Sequence, residues 1–195
     1  FPTRRSSDLV AGAGGSGGKS RYRQLELTAR VAWKDGNELL VSYVRSRASG
    51  DLSEFSRYLG NYPSAVVRPN QFSNLAGDLP HRFLAYGTLK LPFKMQLSPM
   101  VEYRSGFPYA PLDAARNFVG TPNTLRFPNF FSLDARVSKD FKISEKYSVR
   151  FSVSGYNLTN HFNALDVHAN TADPQFGAFF GNYKRRFRMD FDIIF

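Results

Sequence analysis

The sequence predicts an all-β chain: an antiparallel transmembrane β-barrel fragment of about seven strands, with short periplasmic turns and long extracellular loops. Three observations predict it. Apolar and polar residues alternate in seven separate stretches, as on strands whose successive side chains point to opposite faces. The polar partners are strongly polar rather than merely small. The connections run short, long, short, long, short, long, as the two sides of an outer-membrane barrel do.

The first strand sets Leu25, Leu27, Ala29, Val31 and Trp33 against Glu26, Thr28, Arg30 and Ala32. Asp35-Gly36-Asn37 is a tight hairpin turn. The second strand carries Leu39, Val41 and Tyr43 on one face and Ser42 and Ser46 on the other, with Leu40 and Val44 breaking the pattern. A long segment, 49–80, follows, rich in Ser, Asn, Gly and Pro. The third strand opposes Phe83, Ala85, Leu89 and Leu91 to Arg82, Tyr86, Thr88 and Lys90. Pro92-Phe93-Lys94 turns the chain into a fourth, with Met95, Leu97, Val101 and Tyr103 opposite Gln96, Ser98, Glu102 and Arg104.

A second long segment, 105–130, holds Pro108, Pro111, Pro122 and Pro128. The fifth strand sets Phe131, Leu133, Ala135, Val137 and Phe141 against Ser132, Asp134, Arg136, Ser138 and Asp140. Ile143-Ser144-Glu145-Lys146 is a short turn. The sixth sets Tyr147, Val149, Phe151 and Val153 against Ser148, Arg150, Ser152 and Ser154. A third long segment runs over 159–182. The terminal strand places Phe187, Met189, Phe191, Ile193 and Phe195 on one face and Arg188, Asp190 and Asp192 on the other. Such a strand, ending on an aromatic, is expected to close a barrel and to be read by the insertion machinery. Leu133, Val137, Val149, Phe151 and Val153 are the expected lipid-facing residues. Tyr22, Tyr43, Tyr103, Tyr147 and Trp33, near strand ends, are expected to form an aromatic girdle.

Composition agrees with this reading. Nineteen Phe and ten Tyr stand against a single Trp, and so many rings need a core, an interface or a lipid belt. No apolar run approaches the ~18 residues of a transmembrane helix. Membrane-embedded backbone must be fully paired, which a closed barrel achieves. Structureless loops beyond ~12–15 residues are uncommon in compact soluble domains. The net charge is +10, but the basic residues are dispersed along alternating strands, so no nucleic-acid partner is expected.

Little in the chain suggests chemistry. With no Cys, disulfides and thiolate metal sites are ruled out. His81, His161 and His168 lack metal-ligand spacing, and His81 is expected to be a rim residue. No Gly-x-Ser-x-Gly turn is present. Asp134, Asp140, Glu102, Asp190 and Asp192 are expected to pair with Arg136, Arg104 and Arg188 along the wall. The chain is therefore not expected to be an enzyme, and no cofactor or metal is expected. Gly12 to Ser20 ends like a phosphate-binding loop, which requires a preceding strand and a following helix. Neither context is present. Asn157-Leu158-Thr159 matches a glycosylation acceptor, and here marks a strand-to-loop boundary.

Residues 1–9, Phe-Pro-Thr-Arg-Arg-Ser-Ser-Asp-Leu, resemble the translation of a common sequencing adapter. Such segments are set aside before fold reasoning. The expectation is that the true protein extends upstream, and that an even-stranded barrel lost its first part. Residues 10–20 form a Gly-rich loop, leaving 21–195 as the C-terminal part of the barrel.

Several short stretches carry a family resemblance. They are Asp78-Leu79-Pro80-His81-Arg82-Phe83, Tyr103-Arg104-Ser105-Gly106-Phe107-Pro108-Tyr109, Phe131-Ser132-Leu133-Asp134-Ala135-Arg136-Val137 and Tyr156-Asn157-Leu158-Thr159-Asn160-His161-Phe162-Asn163. With Pro174-Gln175-Phe176-Gly177 and the final strand, they make residues 21–195 resemble the C-terminal barrel of TonB-dependent receptors, especially the Oar-like group with its upstream carboxypeptidase-regulatory-like domain. The resemblance implies a bacterial outer-membrane location and a barrel of ~22 strands with a plugged lumen. It implies uptake of a bulky nutrient, such as a carbohydrate or siderophore-like ligand. The implied partners are outer-membrane lipid, the barrel-assembly machinery, a plug domain and TonB, the last two reached through the missing upstream chain. Loop residues such as Arg57, Tyr58, Tyr62, Phe118, Phe179 and Phe180 are candidates to touch substrate. Two other readings stay open: a non-energised pore or adhesin barrel, and a soluble β-sandwich binding module.

Overall fold

A computed structural model describes residues 19–51 and 71–194. The adapter-like start, most of the Gly-rich loop, Arg57, Tyr58, Tyr62 and Phe195 lie outside the described residues. The chain is all-β, and among the described residues it has no α-helix. Its long strands are β1 (Ser20–Trp33), β2 (Asn37–Gly50), β4 (His81–Leu91), β5 (Met95–Arg104), β8 (Phe130–Lys142), β9 (Ser148–Tyr156) and β12 (Arg186–Ile194). Short strands occupy the connections: β3 (Ser73–Asn74), β6 (Pro108–Tyr109), β7 (Leu125–Arg126), β10 (Ala164–Val167) and β11 (Phe179–Asn182).

The seven long strands form one antiparallel meander in the order β1-β2-β4-β5-β8-β9-β12, with β3 paired to β2 as an eighth strand. These are the seven stretches expected from alternation. Among the described residues β1 and β12 are the two free edges of an open sheet. Every pairing between neighbouring long strands matches odd with odd and even with even: Leu27 faces Tyr43, Val41 faces Ala85, Val101 faces Leu133, and Phe151 faces Phe191. One odd face and one even face therefore continue across the whole sheet.

The short connections are tight. Gly36 takes φ 74°, the left-handed region that glycine tolerates, and the Asn37 side-chain amide donates to the Lys34 carbonyl at 2.6 Å. Phe93, at φ 61°, makes the turn between β4 and β5. In the third turn the Ser144 hydroxyl accepts from the Lys146 and Tyr147 amides.

The second and third long connections are not structureless, contrary to expectation. β6 pairs with β7 and β10 with β11, and Leu112 bridges to Asn170 so that the two connections join. Proline and glycine obscure any alternation in segments this short, and their order comes from long-range contacts. Gly106 allows one of them: a Cβ there would sit 1.7 Å from the Phe127 carbonyl oxygen.

The distribution of burial is the reverse of a soluble sheet. No large apolar side chain of the seven long strands is buried. Apart from Gly155, the odd face of the long strands is exposed or half-buried along its length, reaching 73% exposure at Phe191. On the even face Ser132, Ser152 and Ser154 are buried.

Candidate functional site

Two features stand out: the polar even face of the sheet, and the ordered layer that the long connections build at one end. On the even face, charged residues meet both within a strand and between strands. Arg150 holds Asp140 with two hydrogen bonds, at 2.6 and 2.9 Å. Arg82 reaches Glu102 at 3.2 Å, with Arg104 at 3.8 Å on the same oxygen. Arg30 pairs with Glu38 and Arg188 with Asp190, both at 2.7 Å, and Arg136 approaches Asp192 at 3.7 Å. Each exposed pair contributes only ~0–1 kcal/mol. Together they offset much of the charge on the even face.

The expected wall pairs are therefore present, with two changes. Asp134 does not pair with Arg136. It accepts from the Ser132 hydroxyl at 2.5 Å and the Asn157 amide at 2.8 Å. Arg136 instead donates to the Ser152 hydroxyl at 2.9 Å. Arg150, which sequence reasoning left unassigned to any pair, carries the best-formed one; its position directly opposite Asp140 was the available signal.

At the β1 edge the even face holds a hollow of about 580 Å³. Tyr22, Gln24, Glu26, Ser42, Arg82 and Tyr86 are among its lining residues. Tyr22 donates to Gln24 at 2.5 Å, and Gln24 to Glu26 at 2.9 Å. Tyr22 thus lies on the polar face and is not part of an outer girdle. Nearness to a strand end suggested the girdle; parity places Tyr22 opposite. Leu40 and Val44, which broke the alternation, line the same hollow.

The odd face carries the remaining expected residues. Leu133 and Val137 on β8 share it with Val149, Phe151 and Val153 on β9, and with Phe187, Met189, Phe191 and Ile193 on β12. Tyr43, Tyr103 and Trp33 sit there as well, while Tyr147 lies in the turn before β9. His81 is at the strand end, as expected of a rim residue, with its Nδ1 2.7 Å from the Tyr43 hydroxyl oxygen.

The layer at the long-loop end is held by buried polar side chains. Asp78, 1% exposed, accepts the Ala48 amide at 2.5 Å and pairs with Arg126. The same guanidinium donates to the Asp78 and Gly106 carbonyls at 3.1 Å. Asn163 mimics a strand, accepting the Phe131 amide and donating to its carbonyl at 2.9 and 2.8 Å. Asn157 is fully buried, and its amide donates to the His161 and Tyr183 carbonyls.

Aromatic residues fill the space between. Tyr109, Phe127 and Phe179 form a triangle with centroids 5.4–6.1 Å apart, and burial pushes the Tyr109 phenol above its ordinary pKa. Phe180 packs on His168 at 4.6 Å. Phe118 bridges to Leu112. Beside the triangle, a hollow of about 220 Å³ is lined by Phe107, Phe127, Pro128, Phe130 and Asn163. The Arg104 guanidinium borders it, 4.7 Å from the Phe107 ring centre and 4.4 Å from that of Phe130. A cation between two rings can hold an acceptor-bearing, partly apolar ligand.

His168 Nδ1 lies 2.9 Å from Asp173. The Gln175 amide, then His168, hold the Asp173 carboxyl below the usual carboxylate range. Among the described residues no three His, Cys, Asp or Glu side chains gather into a metal-binding group. Lys19 and Ser20 lead into a strand rather than the helix a phosphate-binding loop requires. No helix is long and apolar enough to cross a membrane, which says nothing of crossing by strands. No family model, curated protein or solved structure matches the chain.

Proposed function

We propose that this chain is the C-terminal wall of a bacterial outer-membrane β-barrel of the TonB-dependent receptor type, which takes up a bulky nutrient. One observation carries the membrane part. A single apolar face runs uncovered across seven strands, while every carboxylate of those strands lies on the opposite face. In water such a face would be an aggregation-prone patch far larger than a soluble monomer carries. Against lipid it is the expected outer surface, and the even face is the polar interior.

On this reading the free edges β1 and β12 pair with strands upstream of the present sequence. Phe187, Met189, Phe191, Ile193 and Phe195 close the barrel and are recognised by the assembly machinery. Leu133, Val137, Val149, Phe151 and Val153 contact lipid. The ordered loop layer captures ligand. The plug and the TonB-engaging segment belong to upstream chain, and this part of the proposal rests on the family resemblance.

The test is expression of the full-length gene product in a Gram-negative host. A heat-modifiable protein, extracted from outer membranes only by detergent, supports the barrel. A soluble monomer without detergent overturns it in favour of a binding module. Uptake that stops in a host lacking TonB supports the receptor; TonB-independent passage, or an upstream sequence without a plug, points to a pore or adhesin.

A further inference from the structure

The odd face is apolar but not uncharged, and all but one of its strand Lys and Arg residues are collected in one corner. Arg21 and Arg23 on β1 and Arg45 and Arg47 on β2 all lie on it, and all four are exposed. Arg23 stands directly opposite Arg47, and Arg45 opposite Leu25 on one side and His81 on the other. The seven long strands place no carboxylate on this face. Among the described residues none of the four guanidiniums has a hydrogen bond, an ion pair or a ring contact.

That arrangement is costly as it stands. Like charges directly opposite on one face of an antiparallel pair destabilise it. On the even face arginines are matched by carboxylates, as with Arg150 and Asp140. Among the described residues this charge is unmatched, and it calls for an anion.

Its position indicates which anion. Toward the short-turn end, the same face of β1 continues as Leu25, Leu27, Ala29, Val31 and Trp33. Leu25 to Trp33 spans roughly 27 Å along the strand at ~3.4 Å per residue, which at the ~35–45° tilt of barrel strands is roughly 19–22 Å of height, most of the ~25 Å lipid-facing band. The four arginines begin where that stretch ends, on the long-loop side, at the depth of lipid headgroups. The opposite end of the odd face has a single strand cation, Lys139, laid over the Phe141 ring at 5.2 Å. Guanidinium groups present paired N–H donors that match phosphate oxygens.

We propose that Arg21, Arg23, Arg45 and Arg47 form a docking site for the phosphate groups of an anionic lipid in the leaflet on the long-loop side. The site rests on the membrane reading above, and it orients and anchors this corner of the wall.

The experiment compares full-length protein with a variant carrying Arg21→Gln, Arg23→Gln, Arg45→Gln and Arg47→Gln. Both are reconstituted into phosphatidylcholine vesicles alone, or with a bisphosphorylated glycolipid, or with the same glycolipid dephosphorylated. Lipid retained on the protein is read by native mass spectrometry. Wild type should retain the phosphorylated lipid about tenfold or more over its dephosphorylated form, with the preference falling as salt rises. The variant should insert equally well and lose the preference. A second variant, Arg23→Lys with Arg47→Lys, keeps charge but loses the forked donors, and should keep only part of it. Equal retention of the two glycolipids by wild type, or an unchanged preference in the fourfold variant, overturns the site while leaving the barrel intact. Failure to insert into any vesicle overturns the barrel itself, and this site with it.

Discussion

Leu27 and Thr28 are neighbours in β1, both exposed, and they stand on opposite faces of one sheet. For a soluble edge strand the two positions should tolerate change alike. For a barrel wall they differ sharply. Leu27→Arg would put a guanidinium into hydrocarbon at a cost of ~2–4 kcal/mol near the bilayer midplane. Thr28→Arg would put it beside Glu26. The expected outcome is loss of heat-modifiable protein from outer membranes for Leu27→Arg and near-normal levels for Thr28→Arg. Equal levels would count against a lipid-facing odd side. Val149→Arg should behave like Leu27→Arg. Ser152 is a poor polar-face control, because it is fully buried and bonded to Arg136.

Asp78 ties the end of β2 to the second long connection. Breaking a buried ion pair by removing one partner costs ~3–5 kcal/mol, and the partial exposure of Arg126 puts this case at the low end. On the barrel reading, Asp78→Ala should leave the sheet inserted and heat-modifiable but expose residues 105–129 to protease. The check is the cleavage rate in that segment on reconstituted protein, compared with wild type. An unchanged rate would mean the loop layer stands without this pair.

Asn157 combines a left-handed backbone, φ 48°, with a fully buried side chain that serves two carbonyls and the His161 amide. Asn157→Ala should lower stability by ~1–3 kcal/mol through the lost bonds and by a further ~1–2 kcal/mol of backbone strain. Asn157→Gly should lose only the first part. Urea midpoints in detergent micelles separate the two variants. Identical losses would remove backbone strain from the account.

Asp173 supplies a pH dependence. Its folded-state carboxyl titrates below the usual carboxylate range, so its contribution is complete above that range and is lost as pH falls through the lower folded value. The contact with His168 should open only under strongly acidic conditions. Hydrogen exchange at the Gln175 and Gly177 amides should quicken there in wild type, and already near neutrality in Asp173→Ala. Protection that is flat across acid pH would show that the carboxylate does not hold the turn.

The long strands were legible because each runs nine or more residues and alternates over most of that length, and one physical signal recurs in all seven. Strand length, tight turns and the apolar face follow from that period alone. The loop layer was not legible. Asp78 meets Arg126 across 48 positions, and Asn163 meets Phe131 across 32, and no local pattern announces either contact. Tyr22 was misplaced because distance from the strand end was weighed above parity. The four arginines were visible individually, but only strand register brings Arg23 against Arg47.

The shared parity of the seven long strands also governs how such a chain can change length. Deleting one residue inside β5 would force either a bulge or a flip, sending the greasy side of one stretch to the polar face and its charged side to the apolar one. Losing or gaining two residues would preserve the sidedness and alter only the length of the strand. The connections at the long-loop end carry no such arithmetic. Insertions and deletions of any size are therefore expected to accumulate there, and a frame-preserving library with random single-codon deletions should recover survivors almost exclusively outside the sheet.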